Sequence, residues 1–331
     1  MHIEGLTEAL RAAGHDVDVV SIPWKWYPPR EIVHQMALWR SLDLSEINGV
    51  PIDMVIALKF PAYLVRHERK VVWLIHQHRS AYELWDHPEF GDLSKHEDGT
   101  VVRDLTRHAD QRSLGEAKRI FTNSVNVGER LRRFLGMTSE ALYHRSPLCE
   151  KLLDTDPGSY GDTILFPSRI EPLKRQQLAI RAMRHTRTPV RLVLVGTGPG
   201  EVALRTEVAR LQLESKVELA GHVSDQRLID LYRSALGVFY GPFDEDYGYV
   251  PLEAMAVRRP VVVTADSGGP LELVLDRENG LVVEPSPRAV AHALDGLYRD
   301  RALAERLGGA GRVTLEERVP PWSQVIERLL T

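Results

Sequence analysis

Residues Gly241–Ala256 read G-P-F-D-E-D-Y-G-Y-V-P-L-E-A-M-A and follow an apolar strand predicted at Gly237–Tyr240. A helix is predicted from about Val250, because Pro251 needs no N–H partner in a first helical turn. The residues just before it lie at the positive end of the helix, where free backbone N–H groups bind phosphate. This order of strand, loop and helix is typical of parallel α/β sheets, which bind ligands beyond their strand ends.

Two carboxylates in this stretch are candidate ligands for sugar hydroxyls. Glu245 lies in the loop, and Glu253 follows eight positions later in the predicted first turn, facing the same side. Carboxylate oxygens accept hydrogen bonds from hydroxyl groups, so a spaced pair suits a polyol. An acidic residue in a first helical turn also complements the helix dipole, so Glu253 alone does not establish a ligand site. The string Asp244–Glu245–Asp246 resembles a D-x-D metal motif, which we judge not to bind metal.

The same alternation of short β-branched runs and amphipathic helices extends along the chain. The predicted strands are Val17–Ser21, Met54–Leu58, Val71–Ile75, Arg119–Thr122, Leu142–His144, Thr163–Pro167, Val190–Val195, Val217–Leu219, Gly237–Tyr240 and Pro260–Thr264. The predicted helices include Gly5–Ala13, Val101–Ala117, Gln176–Met183 and Glu201–Leu211. This pattern predicts an α/β protein with parallel sheets covered by helices on both faces. A length of 331 residues suits two domains, 1–155 and 156–331, joined at the turn-rich segment Asp154–Gly161.

Composition narrows the classes of function. The net charge of −4 and the 27% of charged residues are ordinary for a soluble protein and do not favour nucleic acid as a partner. Cys149 is the single cysteine, so a disulfide within the chain is excluded and a reducing, cytoplasmic location is expected. No run reaches the roughly 18 to 20 apolar residues of a membrane span. Peripheral contact at the inner face of the membrane is compatible with this.

A pair of cations follows the first predicted strand of the second half. Pro167–Lys174 reads P-S-R-I-E-P-L-K and places Arg169 and Lys174 in a loop between a strand and a helix. Such cations neutralise a diphosphate whose charge grows as it leaves. An Arg–Lys pair on its own is more often a solvated face, so its position in the fold is what points to function.

Glycine-containing loops follow other predicted strands of this half. They include Val195–Gly200, with Gly196 and Gly198, and Gly221–Val223, with His222. The segment Asp266–Glu272 reads D-S-G-G-P-L-E and contains Ser267 and Gly268. Taken singly, each is a weak signal that tight turning or helix capping explains equally well.

Histidines stand at the end of a strand in the first half. Val71–Asp86 reads V-V-W-L-I-H-Q-H-R-S-A-Y-E-L-W-D, which puts His76, His78 and Arg79 at or just beyond the strand's carboxyl end. Asn123 and Ser124 follow the strand Arg119–Thr122 in the same way. These polar groups are expected to face the ligand side of the sheet.

Together these strings resemble the paired-glutamate signature of retaining family 4 glycosyltransferases. The resemblance implies the GT-B fold, in which two Rossmann-like domains present parallel sheets to a central cleft. It implies that Glu253 binds the ribose hydroxyls and that Glu245 contacts the donor sugar or lies beside the reacting centre. It also implies that Arg169 and Lys174 hold the diphosphate. It also implies further donor contacts at Gly196, Gly198, Gly221, His222, Val223, Tyr247, Gly248, Tyr249, Val250, Ser267 and Gly268. Ser168 and Arg175 depart from the pattern, which usually has glycine before the arginine and often after the lysine.

The segment H-x-H-R-x-A-Y-x-L in the first half resembles one bacterial branch of that family. By this resemblance His76 contacts the donor sugar or the acceptor and joins Glu245, Arg169 and Lys174 as catalytic residues. The acceptor or sugar side is assigned to His78, Arg79, Asn123 and Ser124. Members of the family begin with a strand and a glycine-rich loop, whereas Met1 already lies in the first predicted helix here. The last helix is expected to pack back on the N-terminal, acceptor-side domain.

The resulting hypothesis is a hexosyltransferase of the EC 2.4 class that uses a UDP- or GDP-linked sugar. No metal or other cofactor is expected, and the acceptor is a glycan, a lipid-linked molecule or a small molecule. A nucleotide-sugar-binding or regulatory protein without full activity stays open as the alternative, because the first strand of the family pattern is missing. A nucleotide-sugar epimerase is disfavoured by the Arg169–Lys174 and Glu245–Glu253 pairs.

Overall fold

The computed structural model describes residues 2–331, which form two compact units. The C unit consists of residues 2–15 and His144–Ile326, and the N unit consists of Asp16–Tyr143 and Glu327–Thr331. Residues 2–15 and 144–155 therefore group with the C unit, whereas the sequence placed them in the domain 1–155. The reason is packing, because the His2 ring lies 4.1 Å from the His144 ring and a Cβ on Gly5 would come within 2.7 Å of Trp322.

The strands and helices alternate along the chain. In chain order the strands are β1 (Glu46–Ile47), β2 (Val50–Pro51), β3 (Val55–Ala57), β4 (Lys70–Leu74), β5 (Arg119–Thr122), β6 (Glu140–Ala141), β7 (Thr163–Pro167), β8 (Arg191–Val195), β9 (Val217–Gly221), β10 (Gly237–Phe239), β11 (Val261–Thr264) and β12 (Gly280–Val283). The helices are α1 (His2–Ala12), α2 (Arg30–Ser41), α3 (Gly99–Gly115), α4 (Val125–Leu135), α5 (Pro147–Leu153), α6 (Gln176–Met183), α7 (Glu201–Arg210), α8 (Asp225–Ser234), α9 (Tyr249–Ala256), α10 (Pro287–Arg299), α11 (Arg301–Arg318) and α12 (Trp322–Leu330).

The C unit is built on a six-stranded sheet in the order β12-β11-β10-β7-β8-β9, and all its pairs are parallel. Its central strands are apolar without alternation, as in Val261–Thr264, because helices cover both faces of a parallel sheet. The chain runs outward from β7 in one direction and from β10 in the other. The carboxyl ends of β7 and β10 therefore form the switch point at which such sheets bind ligands.

The N unit contains a four-stranded parallel sheet, β3-β4-β5-β6, and a small antiparallel pair, β1-β2. The predicted strand Val17–Ser21 is wrong, because residues 15–26 form neither helix nor strand. Val19 and Val20 in that segment are 50% and 42% exposed, so burial does not stabilise a strand there. The strand predicted at Leu142–His144 lies two residues earlier, at Glu140–Ala141.

Serine residues fix the starts of several helices. Ser124 Oγ accepts from the Val127 N–H at 3.1 Å at the start of α4, and Ser146 Oγ accepts from the Cys149 N–H at 3.0 Å at the start of α5. Each bond satisfies a backbone donor that the helix itself leaves unpaired. Within residues 2–331, no helix is both long enough and apolar enough to cross a membrane.

Candidate functional site

Lys174 and Glu245 meet at the switch point of the C-unit sheet. The Lys174 ammonium forms a close ion pair with the Glu245 carboxylate, and the two side chains are 15% and 16% exposed. The Tyr240 hydroxyl donates to Glu245 Oε2 at 3.0 Å and lies 3.4 Å from Lys174 Nζ. Burial and the neighbouring Glu245 charge raise the pKa of Tyr240 well above its ordinary value, so this hydroxyl stays protonated. A cation, a carboxylate and a neutral hydroxyl are thus gathered at one point.

Strand order brings these groups together from opposite ends of a long segment. Lys174 follows β7 and Glu245 follows β10, and these strands pair directly, with Val238 opposite Leu165. The loops after them are also joined by a hydrogen bond from the Phe243 N–H to the Leu173 carbonyl, at 2.8 Å.

The Asp266–Glu272 loop is hydrogen-bonded to the backbone of Glu245. The Glu245 N–H donates to the Ser267 carbonyl at 2.9 Å, and the Gly269 N–H donates to the Glu245 carbonyl at 2.8 Å. Ser267 is fully buried and its hydroxyl lies 2.9 Å from Thr264 Oγ1, so this side chain shapes the turn. Gly268 adopts φ +71°, a conformation suited to glycine. The donor contacts assigned to Ser267 and Gly268 stay predictions.

His144 is hydrogen-bonded to the residues at the start of α9. Tyr247 OH donates to the His144 carbonyl at 2.8 Å, and Tyr249 OH lies 2.7 Å from His144 Nε2. Gly248 has φ +86°, and a Cβ there would come within 2.8 Å of the Tyr240 ring. Both tyrosine side chains are hydrogen-bonded to His144, and Val250 is half-buried. The group that this turn can offer a ligand is therefore its backbone.

Glu253 lies inside the C unit, 5% exposed, on helix α9. Its carboxylate accepts from Ser146 Oγ at 2.8 Å and from Tyr232 OH at 2.7 Å. Burial raises the pKa of Glu253 even though both hydrogen bonds favour the ionised form. The structure thus connects Glu253 to α5 and α8, and the ribose contact implied by the family resemblance stays a prediction.

The raised pKa of Glu253 gives a testable dependence of stability on pH. A carboxyl whose pKa is higher in the folded than in the unfolded protein favours folding at low pH and loses that contribution as pH rises through its folded pKa. Glu253→Gln is therefore expected to raise the melting temperature relative to wild type at pH 8, with the difference shrinking as pH falls toward 4.5. Melting curves of both proteins between pH 4 and 8 measure this. A deficit of the variant that grows toward pH 8 would contradict it.

The glycine loops lie directly on the cation-bearing loop. A Cβ on Gly196 would overlap the Ser168 carbonyl, and one on Gly198 would overlap the Ile170 carbonyl. The two loops share a hydrogen bond from the Ile170 N–H to the Thr197 carbonyl, at 2.9 Å. These glycines therefore permit close backbone packing beside Arg169, which is a stronger reason for them than turning alone.

The loop after β9 adjoins the same edge. The Gly196 N–H donates to the Gly221 carbonyl at 2.8 Å, and Gly221 adopts φ +66°. His222 is exposed and Val223 half-buried, so the nucleotide contacts assigned to this loop stay predictions.

Arg169 is placed differently from Lys174. Its side chain is 78% exposed, and its guanidinium lies 3.1 Å from Glu171. Among residues 2–331, no hydrogen bond or ion pair joins Arg169 to Lys174 or to Glu245. The structure therefore unites one cation and one carboxylate of the predicted four, and the role of Arg169 stays a prediction.

The predicted histidines of the N unit follow β4, as the sequence indicated. His76 is half-buried, with Nδ1 2.8 Å from the Gln77 carbonyl. The His78 ring stacks on Phe60, with ring centroids 5.4 Å apart. Burial lowers the pKa of His78 to about 4, so this ring is neutral near pH 7. The catalytic role of His76 and the acceptor role of His78 stay predictions.

The other N-unit candidates are structurally engaged. Arg79 Nε lies 2.5 Å from Glu83 Oε1, and Arg130 Nη1 lies 3.4 Å from the same oxygen. Asn123 is 2% exposed, and Ser124 caps helix α4. Their assignment to the acceptor side stays a prediction.

Several residues of the site were missed by sequence reasoning. Tyr240 was assigned only to a strand, and Ser146, Tyr232 and His144 gave no signal because their partners are distant in the chain. Arg175 was noticed only as a departure from glycine. Across residues 2–331, no group of three or more histidine, cysteine or acidic side chains is arranged to hold a metal ion.

Comparison with known proteins gives relatives of this fold. Residues 158–314 match the sequence profile of the family described as "Glycosyl transferases group 1". The solved structure of Anabaena Alr3699/HepE in complex with UDP and glucose superposes with a TM-score of 0.70 and 18% identity. That alignment covers 98% of this chain and 87% of the other.

The fold is GT-B.

Curated relatives of this GT-B chain are named as glycosyltransferases. The human alpha-1,3/1,6-mannosyltransferase ALG2 is 31% identical over 188 residues, which are 52% of this chain and 45% of the human protein. The D-inositol 3-phosphate glycosyltransferase of Acidothermus cellulolyticus is 25% identical over an alignment that covers all of this chain and 84% of that enzyme. The chain thus spans less than half of the human relative it matches.

Proposed function

We propose that the protein is a retaining glycosyltransferase, resembling family 4, that transfers a sugar from a nucleoside-diphosphate sugar to an acceptor. The observation that carries this is the cluster of Lys174, Glu245 and Tyr240 at the switch point between β7 and β10. Its cation suits the diphosphate, its carboxylate suits sugar hydroxyls, and the helix start at Gly248 offers backbone N–H groups. A nucleotide sugar carries groups for all three.

In this proposal Lys174, with Arg169, stabilises the charge that develops on the leaving diphosphate. Such stabilisation is largest when the cation is held in place before the reaction. Lys174 is held in this way, because its side chain is 15% exposed and ion-paired with Glu245. Glu245 accepts hydrogen bonds from donor-sugar hydroxyls and orients the ring. The acceptor hydroxyl attacks the anomeric carbon from the face that the diphosphate leaves and passes its proton to the departing phosphate oxygen. Configuration is then retained without a metal ion or a separate general base.

The choice of donor is narrowed by the relatives. The HepE structure is a complex with UDP and glucose, and the ALG2 relatives are named as mannosyltransferases. We therefore propose a UDP- or GDP-linked hexose as donor. The acceptor, a glycan, lipid-linked molecule or small molecule, is assigned to the N-unit residues His76, His78, Arg79, Asn123 and Ser124. A cytoplasmic location, compatible with peripheral contact at the inner face of the membrane, belongs to the same proposal.

Thermal unfolding in the presence of UDP-, GDP- and ADP-sugars tests the donor assignment. A ligand that binds only the folded state at a hundred times its Kd stabilises by about 2.7 kcal/mol, a shift of several degrees. One nucleotide class is expected to raise the melting temperature in this way, with EDTA leaving the shift unchanged. NMR of the anomeric proton of the product then reports retention or inversion. A folded protein that responds to none of these donors would contradict the proposal.

A further inference from the structure

Arg175 adopts a backbone conformation that disfavours any side chain. It follows Lys174 and precedes α6, with φ +56° and ψ +41°. L-residues reach this left-handed region at an energetic cost, whereas glycine reaches it freely. A side chain at this position must therefore contribute through what it contacts.

The Arg175 guanidinium is 16% exposed and joins two loops that lie far away in the chain. Its Nε donates to the Gly241 carbonyl at 2.8 Å, and Nη2 donates to the Pro242 carbonyl at 2.8 Å. It holds the Asp266 carboxylate in a bidentate pair at 2.8 and 2.7 Å and reaches Thr264 Oγ1 at 2.7 Å. We name Arg175 with these four partners the loop clamp.

The loop clamp binds the start of the segment that carries Glu245. Gly241 and Pro242 begin this segment, and the Asp244 N–H donates to the Asp266 carbonyl at 2.8 Å. Arg175 is the next residue after Lys174 in the chain. The clamp therefore connects the backbone beside the cation with the start of the loop that presents the carboxylate, and with the Asp266 loop that is hydrogen-bonded to it.

The charge of Arg175 is already matched inside the clamp. Partial burial raises the pKa of Asp266, but the hydrogen bond and charge of Arg175 outweigh this and hold that pKa below its ordinary value. Asp266 is thus ionised, and its bidentate pair with Arg175 occupies the guanidinium. Arg175 is therefore not proposed to bind the donor itself. Its position favours a role exerted through Lys174 and Glu245.

We propose that Arg175 is a positioning residue that sets Lys174 and Glu245 in register for the diphosphate and sugar of one donor molecule. This inference rests on the proposed function. Loss of Arg175 is expected to slow the transfer step more than it weakens nucleotide binding, because the clamp fixes Lys174 and Glu245 relative to each other. Misplacement of reacting groups by about 1 Å costs roughly a hundred-fold in rate.

Arg175→Gly removes the guanidinium and also relieves the backbone. Arg277→Gly is the matched control, because Arg277 is likewise left-handed, with φ +59°, but is 86% exposed and lies 3.9 Å from Asp276. We expect Arg175→Gly to lower kcat about a hundred-fold while the Kd of UDP or GDP changes less than about threefold. Arg277→Gly is expected to change kcat less than about twofold. Arg175→Lys, which keeps a donor for Asp266, is expected to recover part of the loss.

Hydrogen–deuterium exchange gives a second readout that needs no activity. The amides of Phe243, Asp244 and Glu245, which are hydrogen-bonded in the structure, are expected to exchange faster in Arg175→Gly and at the wild-type rate in Arg277→Gly. If wild type transfers no sugar, the proposed function fails while this exchange still decides the clamp. Equal kcat and equal exchange in the two glycine variants would overturn the inference. Should Arg175→Gly not fold, the same comparison made with Arg175→Lys decides it.

Discussion

Replacing Lys174 with alanine is expected to lower kcat/KM for the nucleotide sugar by about 10²–10³-fold, the loss seen when one preorganised charge-stabilising donor is removed. Lys174 is the cation that the structure places beside Glu245 and Tyr240, partly shielded from water. Partial shielding from water makes the electrostatic interaction of its charge with a diphosphate stronger than that of a solvated lysine. Initial-rate kinetics with the donor identified by thermal unfolding measure the effect.

Lys151→Ala is the matched control for this experiment. Lys151 also lies in the C unit and is ion-paired, at 2.9 Å to Asp225, but is 57% exposed. An exposed ion pair contributes little to stability, so Lys151→Ala is expected to fold as wild type does. Because Lys151 is not part of the Lys174–Glu245–Tyr240 cluster, kcat/KM is expected to stay within about twofold of wild type. Arg169→Ala in the Lys174→Ala background tests whether the exposed arginine adds to the effect. Wild-type kinetics in the double variant would refute the diphosphate assignment.

Gly196→Ala is expected to destabilise the protein by about 3–5 kcal/mol, because it combines a steric overlap with an unfavourable backbone conformation. Gly196 has φ +129°, and the added methyl group would overlap the Ser168 carbonyl of the neighbouring loop. The β7 and β8 loops would have to separate, breaking the bond between the Ile170 N–H and the Thr197 carbonyl. Urea unfolding followed by circular dichroism measures the loss.

Gly221→Ala separates the two causes. Gly221 also has positive φ, +66°, but a Cβ there meets nothing within 4 Å. The backbone cost alone is about 1 kcal/mol, so this variant is expected to lose only that amount. Equal unfolding midpoints for the two alanine variants would show that close packing of the two loops is not what Gly196 provides.

The C unit was the more predictable part of the chain. Strand β7 lies where the sequence placed it, and β8 through β11 differ from their predicted bounds by at most a few residues. Their signal is a run of β-branched residues between turn formers, which is a local property. The prediction failed at Val17–Ser21, where a similar run is left exposed by its surroundings.

The candidate site was predictable only in part. The positions of Lys174 and Glu245 followed from loops after strands, and the structure unites them. Glu253 was expected to face the ligand side; the structure adds that Ser146 and Tyr232 donate to its carboxylate, and the ribose contact stays a prediction. A buried carboxylate looks the same in the sequence as an exposed one, because its hydroxyl partners come from other helices.

The sequence by itself determined the parallel α/β class, the loops that carry charge and glycine, and a helix start near Val250, which the structure has at Tyr249. These features depend on residue type and spacing over a few positions. Only the tertiary structure decided which groups meet, such as Glu253 with Ser146 and Arg175 with Asp266. The pair of Arg175 and Asp266 depends on β10 lying between β7 and β11, and the pair of Glu253 and Ser146 depends on α5 packing beside α9. Such arrangements are set by the packing of the whole unit.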